Sequence, residues 1–122
     1  MIKRVFAHCD LPCGVYDPIQ ARLEAEAVKG AMEKYDHFDD HNKMRATLVK
    51  EQRAEDVKHH LWVLWTDYFK PEHLELHDDL HDLFWRATKQ AGVCKKTVDV
   101  AEADKLLALI DEITDVFKAS KK

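Results

Sequence analysis

Residues 43–67 read KMRATLVKEQRAEDVKHHLWVLWTD, and this run decides the fold. Met44, Leu48, Val57, Leu61, Leu64, Trp65 and, just beyond, Tyr68 recur at spacings close to 3.6, the repeat of one helix face. Pro71 ends that helix, because its ring supplies no N–H, and opens a third one. The third helix places Leu76, Leu80, Leu83, Phe84 and Ala87 on one side, with Gly92 as its stop signal. Upstream, Asp17-Pro18 gives an N-cap followed by a proline at the first helical position. Ile19, Leu23, Val28, Met32 and Tyr35 then form an apolar stripe, and the polar residues 37–42 connect it to the second helix. Downstream, Asp99 and Glu102 stand in capping-box spacing. Val100, Ala103, Leu107, Ile110 and Phe117 make the fourth buried face, helped by Leu106 and Ile113. Four amphipathic helices with short links predict an all-α, up-down-up-down four-helix bundle over residues 17–118.

Composition agrees. The chain has 122 residues, enough for one core. Hydrophobic residues make up 46% and charged residues 34%, which suits a globular chain rather than a disordered one. Only 3 Gly and 3 Pro leave little for the turns of an all-β fold. A net charge of −4 with scattered lysines gives no basic surface for nucleic acid. The terminal Lys121-Lys122 pair reads as a solvated tail. No apolar run approaches the roughly 20 residues of a membrane span. Residues 1–7 are too short for a secretory signal, so a cytoplasmic protein with reduced thiols is expected.

Residues 8–16, His-Cys-Asp-Leu-Pro-Cys-Gly-Val-Tyr, follow neither a helical nor a strand period. Three cysteines make no disulfide framework; Cys9 and Cys13 are a close pair and Cys94 is remote, a plain thiol. The close pair points to metal or redox chemistry. If the chain is cut after Ala7, His8 offers a free amine and an imidazole. Amine, the His8–Cys9 amide nitrogen and the Cys9 thiolate then form adjacent chelate rings, and Cys13 closes a four-donor plane. Planar N/S ligation suits Ni(II) or Cu(II), not the tetrahedral preference of zinc. The bare spacing is also that of two ordinary cysteines in a loop. A thioredoxin-like pair would need a two-residue gap in a βαβ setting.

The run from His8 to Pro18 resembles the nickel hook of nickel superoxide dismutases. Arg45-Ala46-Thr47, the block from Lys50 to Glu55, Lys58-His59-His60 and the block from Leu64 to Pro71 also resemble that family in order and spacing. The resemblance is dense over residues 8–71 and thinner beyond. It implies a precursor whose leader, residues 1–7, is removed, leaving the domain 8–122 with a hook at 8–16. It implies one nickel ion per subunit, held by the His8 amine and imidazole, the Cys9 amide and the Cys9 and Cys13 thiolates. It implies conversion of superoxide to dioxygen and hydrogen peroxide by Ni(II)/Ni(III) cycling, in a homohexamer. By the same resemblance Tyr16 joins His8, Cys9 and Cys13 at the catalytic site, with Asp10 beside it at the approach. Pro12 is cis at the sharp reversal, and Glu24 and Arg53 hold the His8 ring. A maturation peptidase and a nickel chaperone are the implied partners. Losing Lys3 and Arg4 with the leader takes the net charge from −4 to −6.

An anionic enzyme must still draw an anionic substrate, which local positive charge can do. Lys70 is the candidate; the alternative is an ordinary solvated lysine. His73, His77 and His81 fall at i, i+4 and i+8 of the third helix and would share a face, as ligands or, more simply, as surface histidines. His59 and His60 point about 100° apart on a helix, which suits packing or an interface. Trp62, Trp65, Phe69 and Trp85 read as core or subunit contacts, and Tyr68 as core or as lining of the approach. Ser120 has no triad around it. Two rival readings use the same residues: a non-catalytic nickel or copper carrier, and a helical interaction module with a structural loop.

Overall fold

A computed structural model describes residues 14–122. Four helices form the bundle: α1 (Ile19–Lys34), α2 (Asp40–Val63), α3 (Leu80–Lys95) and α4 (Val100–Ser120). α1 packs against α2 and α4, and α3 against the same two, so the four make a closed ring around one core. The predicted bundle is therefore present; the expected hook at 8–16 lies outside the described residues except for Gly14, Val15 and Tyr16.

Caps set the boundaries. Asp17 Oδ1 accepts from Ile19 N at 2.8 Å and starts α1. Asp39 Oδ1 accepts from Asn42 N at 2.8 Å, so α2 begins at Asp40 rather than in the low forties. Residues expected as a polar link are thus mostly helical, with a tight turn at Tyr35–His37. Asp99 caps α4 through Ala101 N at 3.0 Å. The expected capping box is only half made. Glu102 turns instead toward α3, accepting from Gln90 Nε2 at 2.6 Å, and from Lys105 Nζ at 3.1 Å.

Two buried faces differ from the apolar stripes. On α1, Ile19 and Leu23 are 48% and 55% exposed, while Ala21, Ala25, Val28 and Met32 are buried. On α2, Met44 and Leu48 are 65% and 61% exposed, and Ala46, Lys50, Ala54, Val57 and Leu61 face inward. Alanines let neighbouring helices approach closely, so small side chains take the contact face and larger ones ride outside it. α4 largely follows its prediction: Ala103, Leu106, Ile110, Ile113 and Phe117 are buried, while Val100 and Leu107 are only partly buried against the core.

The stretch after α2 departs most from expectation. Leu64–Tyr68 is a π-turn, closed by Phe69 N donating to Leu64 O at 2.9 Å. The wider turn takes up an extra residue, a feature common at functional sites. It leaves Phe69 buried and Tyr68 half-buried. Pro71 opens a short 3-10 turn, Pro71–Leu76, and not α3, which starts at Leu80. His73, His77 and His81 therefore share no helix face. His73 Nδ1 accepts from Lys70 N, His77 Nδ1 accepts from Asp79 N, and only His81 lies on α3. Gly92 does not stop α3; it sits inside the helix with the Lys58 ammonium group alongside, 3.4 Å from where a β-carbon would be.

Cys94 is fully buried on α3. Burial pushes its thiol from the ordinary 9.0 up to about 11, with Glu102 adding to the rise and Lys50 opposing it. The folded chain thus holds this proton more tightly than the unfolded chain. The resulting stability is complete below pH 9 and is lost as pH rises through about 11. We expect urea denaturation to show a loss of roughly 2–3 kcal/mol from this group across that window. Cys94→Ala should lower stability overall yet remove this alkaline decline. Equal slopes in the two proteins would refute the assignment.

Candidate active site

The chain enters the described structure at Gly14, whose φ of +72° is a left-handed conformation that side chains resist. Gly14 and Tyr16 line one wall of an open cleft of about 420 Å³. Asp67, Tyr68, Lys70, Glu72 and His73 supply the wall from the π-turn and the 3-10 turn, and Ser120 and Lys121 the end of α4. Tyr16 and Tyr68 stand with ring centroids 5.6 Å apart. Tyr68 is clamped by its neighbours: His73 stacks on it at 5.7 Å, Phe117 lies at 4.7 Å and Phe69 meets it edge-on at 5.0 Å. His73 accepts from Lys70 N at 3.0 Å through Nδ1, so its neutral ring carries the proton on Nε2. Asp67 Oδ2 is buried with no hydrogen-bond partner, an unusual state for a carboxylate oxygen.

The sequence candidates divide into three groups. Tyr16 and Lys70 come together in the cleft. Glu24 and Arg53 come together elsewhere, bridging α1 and α2: Arg53 Nη1 donates to Glu24 Oε2 at 3.2 Å and Oε1 at 3.5 Å, and lies 3.6 Å from Asp56. Neither of them lines the cleft. Ten residues of α2 separate Arg53 from Val63, about 15 Å along the axis. His8, Cys9, Asp10, Pro12 and Cys13 lie outside the described residues. Their chemistry still fits nickel, since two thiolates, an amine and an amidate favour the planar geometry of Ni(II). Among the described residues no three His, Cys, Asp or Glu side chains gather as a metal site, so His73, His77 and His81 do not form one.

Several cleft residues escaped sequence reasoning. Ser120 touches Tyr68 across 52 positions of chain. Lys121 is no free tail, because its ammonium group lies 5.0 Å from the Tyr68 ring centroid and 5.1 Å from that of Phe117. No local pattern announces such contacts. Trp65 and Phe69, read as core or subunit contacts, are packed on Phe84 at 5.0 and 5.5 Å. Trp62 and Trp85 remain largely exposed. No described helix is long and apolar enough to cross a membrane.

Comparison with known proteins adds the rest. A family model described as nickel-containing superoxide dismutase matches residues 3–121. The nickel superoxide dismutase of Streptomyces seoulensis is 53% identical over 120 residues, covering 98% of this chain and 92% of that protein. A native nickel superoxide dismutase structure superposes with a TM-score of 0.91 at 51% identity, over 94% of this chain and 100% of the other. Another, with nickel ligation corresponding to the oxidized state, gives a TM-score of 0.89 at 53% identity, over 93% and 98%.

Proposed function

The chain belongs to the nickel-containing superoxide dismutases, and from that premise we propose that it matures by loss of residues 1–7 and works through a metal centre built on the new terminus at His8. It is an oxidoreductase with nickel as cofactor. His8, Cys9 and Cys13 would hold the ion, one per subunit. When bound, nickel supplies one-electron chemistry by alternating between Ni(II) and Ni(III), so that one superoxide is oxidised to dioxygen and a second is reduced and protonated to hydrogen peroxide. A relative with ligation described for an oxidized state supports such cycling.

The chain's own residues do the rest. The imidazole of His8 needs a fixed partner. The family resemblance assigns Glu24 and Arg53 to it, a pair that is preformed between α1 and α2 outside the described cleft, so that the His8 end of the hook would have to reach beyond the cleft to meet it. Tyr16 and Tyr68 narrow the cleft, Asp10 and Pro12 shape the hook, and Lys70 draws the anion in. The observation that carries this reading is that the chain immediately after the donor run lines the cleft. Gly14, next in sequence to Cys13, lines it, and Tyr16 stands against Tyr68 within it. Trimming has a second support: the native solved relative is covered over its whole length by 94% of this chain, the share that residues 8–122 represent. A homohexamer in the cytoplasm completes the proposal, served by a peptidase and a nickel chaperone. Exposed Leu23, Met44, Leu48, Trp62 and Trp85 offer apolar surface for subunit contacts.

Intact-mass and metal analysis of protein from its own host tests the whole. The expected result is a chain starting at His8 with one nickel per subunit and superoxide turnover. Nickel without turnover would identify a carrier. Failure to retain nickel would favour the interaction module.

A further inference from the structure

We propose that Ser120, in the last turn of α4, fixes the direction of the Tyr68 hydroxyl and so makes that tyrosine a hydrogen-bond acceptor, not a donor, toward the cleft; this rests on reading the cleft as the superoxide approach. A serine hydroxyl has one hydrogen. Ser120 Oγ donates it to Phe117 O at 2.5 Å, one of the carbonyls that a helix end leaves without an N–H. The Tyr68 hydroxyl oxygen lies 2.5 Å from the same Ser120 Oγ. With the serine hydrogen already committed, the hydrogen between these two oxygens belongs to Tyr68. The phenol therefore spends its hydrogen on the cleft wall and keeps its lone pairs for whatever enters.

The ring cannot easily swing to undo this. His73, Phe69 and Phe117 hold it on three sides, and the Lys121 ammonium group lies over it. A phenol so placed offers no hydrogen to a bare anion. It accepts from a protonated guest, such as water or hydrogen peroxide. Attraction of superoxide falls to the charges of Lys70 and Lys121, which act at a distance without a fixed bond. The cleft then draws the anion without trapping it and gives the neutral product an acceptor. Ser120 is a positioning residue that acts through Tyr68.

The test uses azide as a small monoanion probe against nickel-loaded mature protein. Ser120→Ala frees the Tyr68 hydrogen to turn inward and donate to azide, so azide should inhibit about tenfold more tightly. Ser120→Thr keeps a hydroxyl and should restore the original affinity. In a Tyr68→Phe background, Ser120→Ala should change nothing. A second readout needs no activity: proton NMR of the full metal-free chain should show a slowly exchanging Tyr68 hydroxyl proton, present with Ser120→Thr and lost with Ser120→Ala. Absence of that proton in the wild type overturns the bond. Unchanged azide affinity in Ser120→Ala, or a tenfold shift that persists without the Tyr68 hydroxyl, overturns the role. Failure of the underlying cleft reading has another signature: Tyr68→Phe and Lys70→Ala would both leave superoxide turnover untouched while the protected proton remains.

Discussion

A chain held in its uncut form, for example by Ala7→Pro, is expected to dismute superoxide on the order of 10³-fold more slowly than the chain that starts at His8. In the uncut chain the His8 nitrogen sits in a peptide bond, its lone pair delocalised into the carbonyl. It could bind only after deprotonation to a second amidate, as the Cys9 nitrogen would, so the uncut chain loses the neutral amine donor and its easily formed chelate ring. Outer partners of metal ligands typically cost about 10–100-fold when removed, so the loss of a direct in-plane donor should exceed that range. The amine must also shed its proton to ligate, and an α-amino group ordinarily titrates near 7.7–8.0. Nickel loading of the cut chain should therefore release protons and weaken as pH falls below that value. Stopped-flow turnover and nickel content, measured on cut and uncut chains side by side, check this. Equal turnover in the two would remove the basis for the proposed site. Cys9→Ser and Cys13→Ser, which lose one thiolate each, should match the uncut chain in activity, and circular dichroism should still show the helical bundle, whose described core is built from α1 to α4 with Leu64 and Phe69.

Why some of this was legible in sequence and some was not comes down to the range of the signals. α4 could be read because its cap at Asp99 and its stripe from Ala103 to Phe117 are local and both agree. The inward faces of α1 and α2 were read only in part: Val28, Met32, Val57 and Leu61 are buried as expected, but the alanines beside them carry almost no hydrophobic signal, while Leu23, Met44 and Leu48 carry a strong one and lie outside. Pro71 was read correctly as a break but credited with starting the wrong helix. Its turn stays in 3-10 form, and Leu80 N then bonds back to His77 O at 3.3 Å before α3 begins. In the site, Tyr16 and Lys70 were nameable from a family-like run of neighbours. Ser120 and Lys121 were not, since their meaning depends on a tyrosine 52 positions away that only the closed bundle brings near.

Lys50 shows the same limit and supports the largest stability effect we expect. It lies in the inward stripe of α2 between Ala46 and Ala54, at 3% exposure, where a hydrophobic residue would be the normal occupant. Its ammonium group reaches the corner between α3 and α4 and donates to Lys95 O at 2.9 Å and Thr97 O at 2.6 Å. Those carbonyls lie at the end of α3, where the helix itself provides no N–H. Burial lowers the Lys50 pKa from 10.5, against the pull of Glu51 and Cys94, so desolvation of the charge exceeds the help from nearby negative groups. Lys50→Met keeps the stem but strands two carbonyls. At about 1–3 kcal/mol for each buried unpaired group, we expect a loss of roughly 2–6 kcal/mol. Lys50→Ala adds a cavity and should cost more. The sign with pH is opposite to that of Cys94. Because the folded pKa is depressed, the stability tied to the Lys50 shift is complete above pH 10.5 and is lost as pH falls through the folded value. Lys50→Met should therefore lose more ground to the wild type at alkaline pH than at neutral pH. Denaturation midpoints at both pH values decide it: a change under about 0.5 kcal/mol in Lys50→Met would mean that water reaches the corner and takes over both bonds.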